Sequence, residues 1–545
     1  MKKVLAFILA AVMLLSLAAC AKAPAGTEAG GKKDTFVVAM GGTPDMLDPA
    51  IATDSVTATP IQLIYFNLFD LSEDGKAVPN AVEKCDISSD GLTYTLKLVD
   101  GNKWSDGQPV KASDYAFGAK RSLGMGSALS YYCYFIKDYI LNADKYEGAD
   151  VADMTDIGIV ADDAANTLTF TLKAPCTYFT SLLTSNVFAA VRADHAKEHE
   201  STWADLTSTP TCGAYYPTKI ASSEELVMTK NPNFVYADKV VTPTIVLKTM
   251  EDMDAQLMAY QNNEIDMALS VDAAVVSSLY GDKADFIKTN SVINYYVQMN
   301  IAAWSSAPAL ADVRVRRALQ LALDRDAIVA ALDAGEAYYA LYGYVPKGMA
   351  GVNGDFREEV DNDKPYVSYN VEEAKKLLAE AGYGLDNPLN LVYKYNSNNM
   401  HDTVAQVMQQ QWAAIGVNVT FETLEVQTFF AERDENGNYE LARGAMSADY
   451  MDPTTFLCML ISSAQQKPVV TDSKYDGLIA AAEATLDPTE RLQKLHEAEK
   501  YLVEEMAYTI PVFGYASVYL VNPNASGIGF DPVGNVYLEY VECTK

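Results

Sequence analysis

Histidine is scarce in this chain of 545 residues, with four in all, and the seven cysteines include no Cys-x-x-Cys pair. Zinc-ribbon and dithiol redox spacings are therefore absent, and no metal is implied by the cysteines. Basic charge is also in short supply: 41 lysines and arginines stand against 72 aspartates and glutamates, a formal net charge of −31. A surface so acidic excludes nucleic acid as a partner and weakly favours ligands with cationic ends. Beyond the N-terminal segment no apolar run approaches the ~20 residues that cross a bilayer. There is no Walker A loop, no Gly-x-Ser-x-Gly elbow and no dinucleotide fingerprint, so neither ATP hydrolysis nor a serine hydrolase site is supported and no cofactor is expected. Any energy for transport has to come from a partner.

What is present begins at the N-terminus. Lys2-Lys3 precede the apolar stretch Val4 to Leu15, and Leu17-Ala18-Ala19-Cys20 follows. Two charges, a short apolar core and small residues before a cysteine read as a secretory signal over 1–19. The run before Cys20 resembles the bacterial lipobox, in which the thiol carries a diacylglycerol whose two acyl chains hold a protein at a membrane. An ordinary signal peptide with an incidental cysteine is the other reading. Either places the folded body outside the cytoplasm. Residues 20–34 are small, Gly-containing and polar, as a tether requires, with order expected from about Thr35.

With 49% apolar and 21% charged residues, the body has ample core for two or three compact units with a cleft between lobes. Such a core does not need disulfides, so the pairing of Cys85, Cys133, Cys176, Cys212, Cys458 and Cys543 stays open. Leu92, Tyr94, Leu96, Leu98 and then Leu168, Phe170, Leu172 alternate with period two, which predicts a strand-rich region. Trp104-Ser105-Asp106-Gly107 supplies a turn. Asp312 before Val313, Ala318, Leu319 and Leu323 predicts a capped helix, as does Asn370 with Glu373 before Ala374, Leu377, Leu378 and Gly382. Strand Leu389 to Tyr395, helix Asp402 to Ile415 and strand Val417 to Phe421 make a βαβ unit. Helix is expected from about Tyr475 to Glu505 with a break near Pro488, then a strand over Ile510 to Val521.

His195-Ala196-Lys197-Glu198-His199 has the spacing of an inverted zinc-protease motif, since histidines four apart share a helical face. Nothing singles out a third ligand, and a solvated polar turn explains the match. Tyrosine is abundant, 34 residues, with clusters at Tyr131, Tyr132, Tyr134 and at Tyr338, Tyr339, Tyr342, Tyr344. Such rings line binding clefts well, although half-buried packing accounts equally for any single one.

The segment Leu441-Ala442-Arg443-Gly444-Ala445-Met446-Ser447-Ala448-Asp449-Tyr450-Met451-Asp452-Pro453 resembles the oligopeptide-binding proteins of bacterial ABC importers, the family 5 extracellular solute-binding proteins. Leu47-Asp48-Pro49, Lys103-Trp104-Ser105-Asp106-Gly107, Gly213-Ala214-Tyr215, Asn231-Pro232, Glu264-Ile265-Asp266, Asp312 to Arg325 and Glu372 to Gly382 follow in the family's order, so the likeness covers about 35–545.

The resemblance implies an α/β, two-lobed periplasmic-binding-protein-like fold with two crossing hinge strands and an extra β-rich subdomain in the first lobe. The lobes would be 35–292, with the subdomain at 60–187, and 293–507, with 508–545 returning to the first. It implies no enzyme but a monomeric receptor that closes on an extended oligopeptide and delivers it to permease subunits served by a separate ATPase. By residue, it puts backbone pairing at Gly42, Thr43 and Ala445, Met446, Ser447, the ligand's ammonium on Asp449, and its carboxylate near Arg443 and His401. Pro44 departs from the pattern by lacking a donor, and Met446 replaces a common tryptophan. The other reading of Asp449 is that it only orders the turn before Asp452-Pro453. Related receptors take dipeptides, chelated nickel, haem or oligosaccharides, and a peptide sensor would bind in the same way; a zinc peptidase on His195 and His199 is the competing class.

Overall fold

The computed structural model describes residues 31–44, 47–198, 209–221, 224–302, 305–464 and 470–545. Cys20, most of the tether and His199 lie outside the described residues.

Local chemistry sets the helices. The Asp312 carboxylate accepts from the Arg314 amide at the start of Val313–Leu321, and Asn370 accepts from the Glu373 amide at the start of Val371–Glu380. The βαβ unit forms as strand Leu389–Asn396, helix Asn399–Ala413 and strand Val417–Leu424, the two strands parallel. Its helix starts at Asn399 rather than Asp402 because the Asn398 side chain caps the Met400 amide. Pro488 begins a helix instead of interrupting one: Ser473–Glu483 and Pro488–Lys500 are separate, and a proline in a first turn sacrifices no intrahelical bond.

The alternating segments form a four-stranded antiparallel sheet in the order Val82–Ile87, Thr93–Leu98, Thr167–Thr171, Ile159–Asp162. Tyr94, Leu96, Leu168 and Phe170 point into its core. A larger sheet of eleven strands runs through the rest of the molecule. At its middle the long strands Phe286–Met299 and Thr509–Val521 lie antiparallel. On one side Thr509–Val521 continues to Met267–Ala268, Thr35–Met40 and Thr244–Thr249; on the other, Phe286–Met299 continues to Leu441–Ser447, Leu389–Asn396 and Val417–Leu424.

The two central strands slip register between Asn290, opposite Ala516, and Asn294, opposite Gly514. Within the slip the Val292 amide donates to the Pro532 carbonyl, and the Val292 carbonyl accepts from the Ala448 amide. Around this shared sheet the apolar side chains gather in distinct cores. One joins Phe36, Ile61, Leu96 and Phe170 with Leu538 of the C-terminal segment; a second holds Tyr295, Leu319, Leu391 and Trp412; a third holds Tyr344, Phe456 and Leu502. Distinct cores strung on two long strands make a two-lobed mixed α/β fold. Backbone pairing starts earlier than expected, since Lys32 bridges Thr544 and the Lys33 amide donates to the Cys543 carbonyl. The six described cysteines are free thiols.

Candidate functional site

Leu441–Ser447 presents an open strand edge. One side is paired along its whole length with Phe286–Met299, but on the other Leu389–Asn396 reaches only Leu441 and Ala442. Backbone groups alternate sides along a strand. The amides of Met446 and Ala448 point to the paired side, where they meet Asn294 Oδ1 and the Val292 carbonyl. The backbone groups of Ala445 and Ser447 therefore face the uncovered side. The Arg443 carbonyl on that side is already taken by the Arg433 guanidinium, at 3.0 Å. Gly444 is required by close packing, since a Cβ there would lie 2.3 Å from the Tyr296 ring.

Asp449 and Asp452 divide the work of the following turn. Asp452 accepts from the Thr454 amide and hydroxyl and is held by Arg491 through two bonds of 2.7 and 2.8 Å, with both side chains buried. The turn is thus ordered without the Asp449 carboxylate. That carboxylate accepts from the Tyr134 hydroxyl at 2.8 Å and from Tyr132, and the Asp449 amide donates to Thr455 Oγ1. Burial raises its pKa, the two tyrosine bonds opposing the shift, and no cation pairs with it among the described residues. A secluded carboxylate served only by neutral phenols is chemically suited to an ammonium group.

Around it, Tyr450 stacks on Tyr178 at 5.4 Å, Arg491 lies over the same Tyr178 ring at 4.7 Å, and the Met451 amide donates to Ser181. A cavity of about 770 Å³ opens here, lined by Tyr131, Tyr134, Tyr139, Tyr178, Tyr450 and Arg491 among others.

Arg443 and His401 come together in the second core's polar margin. The Arg443 guanidinium donates twice to Asn396 Oδ1, at 2.7 and 3.0 Å, and meets no carboxylate among the described residues. His401 is buried against Tyr295, and burial together with the Arg443 charge pushes its pKa down to about 4. Its imidazole is neutral near pH 7, so of this pair Arg443 carries the positive charge.

Gly42, Thr43 and Pro44 follow strand Thr35–Met40 and are half-buried. Neither Gly42 nor Thr43 has a backbone hydrogen-bond partner among the described residues. Just beyond, Asp48 is clamped by Arg121 at 2.6 and 2.8 Å, and Ser130 donates to the Ala50 carbonyl, which pins the loop against the tyrosine cluster. His195 lies on the short helix Ala193–Glu198. Sequence reasoning named the tyrosine cluster and Asp449 but not their pairing across 315 positions, and missed the Asp452–Arg491 clamp. A pattern read along the chain carries no signal for such distant pairs.

Two lobes on a shared pair of strands, with an uncovered strand edge ending at an unpaired carboxylate, define a two-lobed solute receptor. Residues 76–468 match the family described as bacterial extracellular solute-binding proteins, family 5. The periplasmic oligopeptide-binding protein OppA of Escherichia coli is 31% identical over 99% of this chain and 98% of its own. Among solved structures, the oligopeptide-binding protein OppAIV of Borrelia burgdorferi superimposes with a TM-score of 0.75 at 26% identity, over 93% of this chain and 99% of that one. The murein tripeptide binding protein MppA of Escherichia coli gives 0.74 at 25%, over 94% and 98%. The chain belongs to the family 5 extracellular solute-binding proteins, which are binding proteins and not enzymes. Among the described residues no helix is long and apolar enough to cross a membrane.

Proposed function

We propose that this protein captures extended oligopeptides between its lobes and delivers them to the permease of an ABC importer driven by a separate ATPase, while a lipid on Cys20 keeps it at the outer face of the cell membrane. The first lobe comprises 35–292, with 60–187 as its subdomain, and 508–545; the second comprises 293–507. The observation that carries the reading is Asp449, an unpaired, tyrosine-held carboxylate at the end of an open strand edge.

A peptide that adds itself as a strand gains main-chain hydrogen bonds at Ala445 and Ser447 and, across the cleft, at Gly42 and Thr43, independent of its side chains. Asp449 takes the ammonium and so fixes direction, while Arg443 meets the carboxylate of peptides long enough to reach it. Roomy, wet side-chain pockets leave sequence preference low. Relatives named for oligopeptides and for a murein tripeptide agree with such cargo.

Calorimetry with a tripeptide and its N-acetylated form tests the assignment. Acetylation or Asp449→Ala is expected to weaken binding by about 2 to 5 kcal/mol, because each leaves a buried charge unpaired or absent. Equal affinity for the two ligands would reject the ammonium role. Mass spectrometry of co-purified ligand then separates peptides from a nickel chelate, haem or oligosaccharide.

A further inference from the structure

A second concavity, lined by residues other than those around Asp449, lies where the C-terminal segment packs on the chain after helix Ser55–Ile64. Its volume is about 330 Å³. Six of its eighteen lining residues are aromatic, Tyr65, Phe66, Phe530 and Tyr537 among them, and the charged groups on it are Asp70, Glu73 and Glu539. All three are acidic.

The carboxylates here, Asp531 buried and Asp70 and Glu539 half-buried, differ in how they are served. Asp531, beneath the wall, accepts from the amides of Val533 and Asn535, the Asn535 side chain and the Tyr537 hydroxyl. Asp70 Oδ1 is buried with no hydrogen-bond partner. Glu539 meets no side-chain donor among the described residues, and no lysine, arginine or histidine acts on either Asp70 or Glu539. Buried carboxylates are ordinarily paired. The Asn80 side chain donates to Asp70, while the charged groups acting on the pair are carboxyls of the same sign: Asp531 repels Asp70, and Asp70 repels Glu539.

What the cavity lacks is a positive charge with an apolar body. A metal ion needs an oxygen-rich shell, and no group of three or more acidic, histidine or cysteine side chains among the described residues could hold one. Aromatic faces beside carboxylates instead suit an organic cation, which meets ring quadrupoles and negative charge together. The volume lies at the small end of ligand pockets. We propose that this cavity is a binding site for a small organic ammonium compound, independent of the peptide cleft.

The proton balance agrees with the geometry. Burial, reinforced by neighbouring like charge and opposed at Asp70 by the Asn80 side chain, pushes Asp70 up to about 7 and Glu539 up to about 8, and the other titratable groups facing them are Glu73, Asp531 and the tyrosines Tyr65, Tyr115, Tyr215, Tyr537 and Tyr540. No base faces them. An entering cation favours the ionised carboxylates, so binding releases protons and tightens as pH rises.

Calorimetry on the whole protein at about pH 8, with choline as probe and the uncharged isostere 3,3-dimethylbutan-1-ol as control, tests this site. Choline is expected to bind saturably and the alcohol not. Affinity is expected to fall about tenfold or more in D70N/E539Q and several-fold at about pH 6, and to survive D449N and a saturating peptide. Absence of choline binding, equal binding of the alcohol, an undiminished affinity in D70N/E539Q, or displacement by peptide would each overturn the proposal. Should the double variant fail to fold, the choline and alcohol isotherms and the peptide competition on the unaltered protein decide the matter.

Discussion

Asp449 and Asp452 stand three positions apart and do opposite things. Asp452 is locked by Arg491 and by the Thr454 amide, so Asp452→Ala strands a buried guanidinium and is expected to cost about 3 to 5 kcal/mol in urea unfolding. Asp449 meets only tyrosine hydroxyls and an unfavourable burial. Asp449→Asn is expected to leave ligand-free stability unchanged or raise it by about 1 kcal/mol, while peptide affinity falls. A structural role alone would reverse that pattern.

Asp70 and Glu539 give a pH signature at the same scale. Their folded pKa values lie above the unfolded ones, so the folded state holds protons that the unfolded state has already lost. Their contribution to stability is whole below about pH 4 and is lost as pH rises towards about 8. D70N/E539Q removes the decline, and thermal melts should show it gaining on the unaltered protein by on the order of 2 kcal/mol between about pH 5 and about pH 8.5. Finding the two melting profiles parallel would contradict this.

Among the elements, those specified by neighbours in sequence were legible. Asp312 and Asn370 announce their helices because a cap is a contact over two or three residues. The period-two runs at Leu92 and Leu168 announce strands, and both are paired. Which edge of Leu441–Ser447 stays uncovered was not legible, because it depends on where Leu389–Asn396 stops, and Asp449 emerged through likeness to a family rather than through periodicity. The tyrosines at 131–134 were visible as a cluster, but only folding brings Tyr134 to Asp449. Gly444 gives the element-scale prediction: a Cβ would strike Tyr296, so Gly444→Ala is expected to cost about 1 to 3 kcal/mol and to weaken peptide binding by distorting the open edge, with Tyr296→Leu restoring part of both. Denaturant unfolding and calorimetry on the single and double variants check it.

For the whole molecule, charge and sheet continuity matter most. A formal charge of −31 draws cationic ligands, so association of a lysine-containing peptide should slow several-fold between about 20 and about 200 mM salt, while a peptide without net charge changes little in stopped flow.

The register slip at residues 291–293 has a further consequence. Because both halves hang from one continuous ladder, relative rotation has to be absorbed where rungs are missing, and Val292 is fastened there to Pro532 on one side and Ala448 on the other. Ala448 immediately precedes Asp449. On the proposed role of Asp449, pivot and anchor sit beside one another, so a guest that tugs on its anchor pulls on the axle itself.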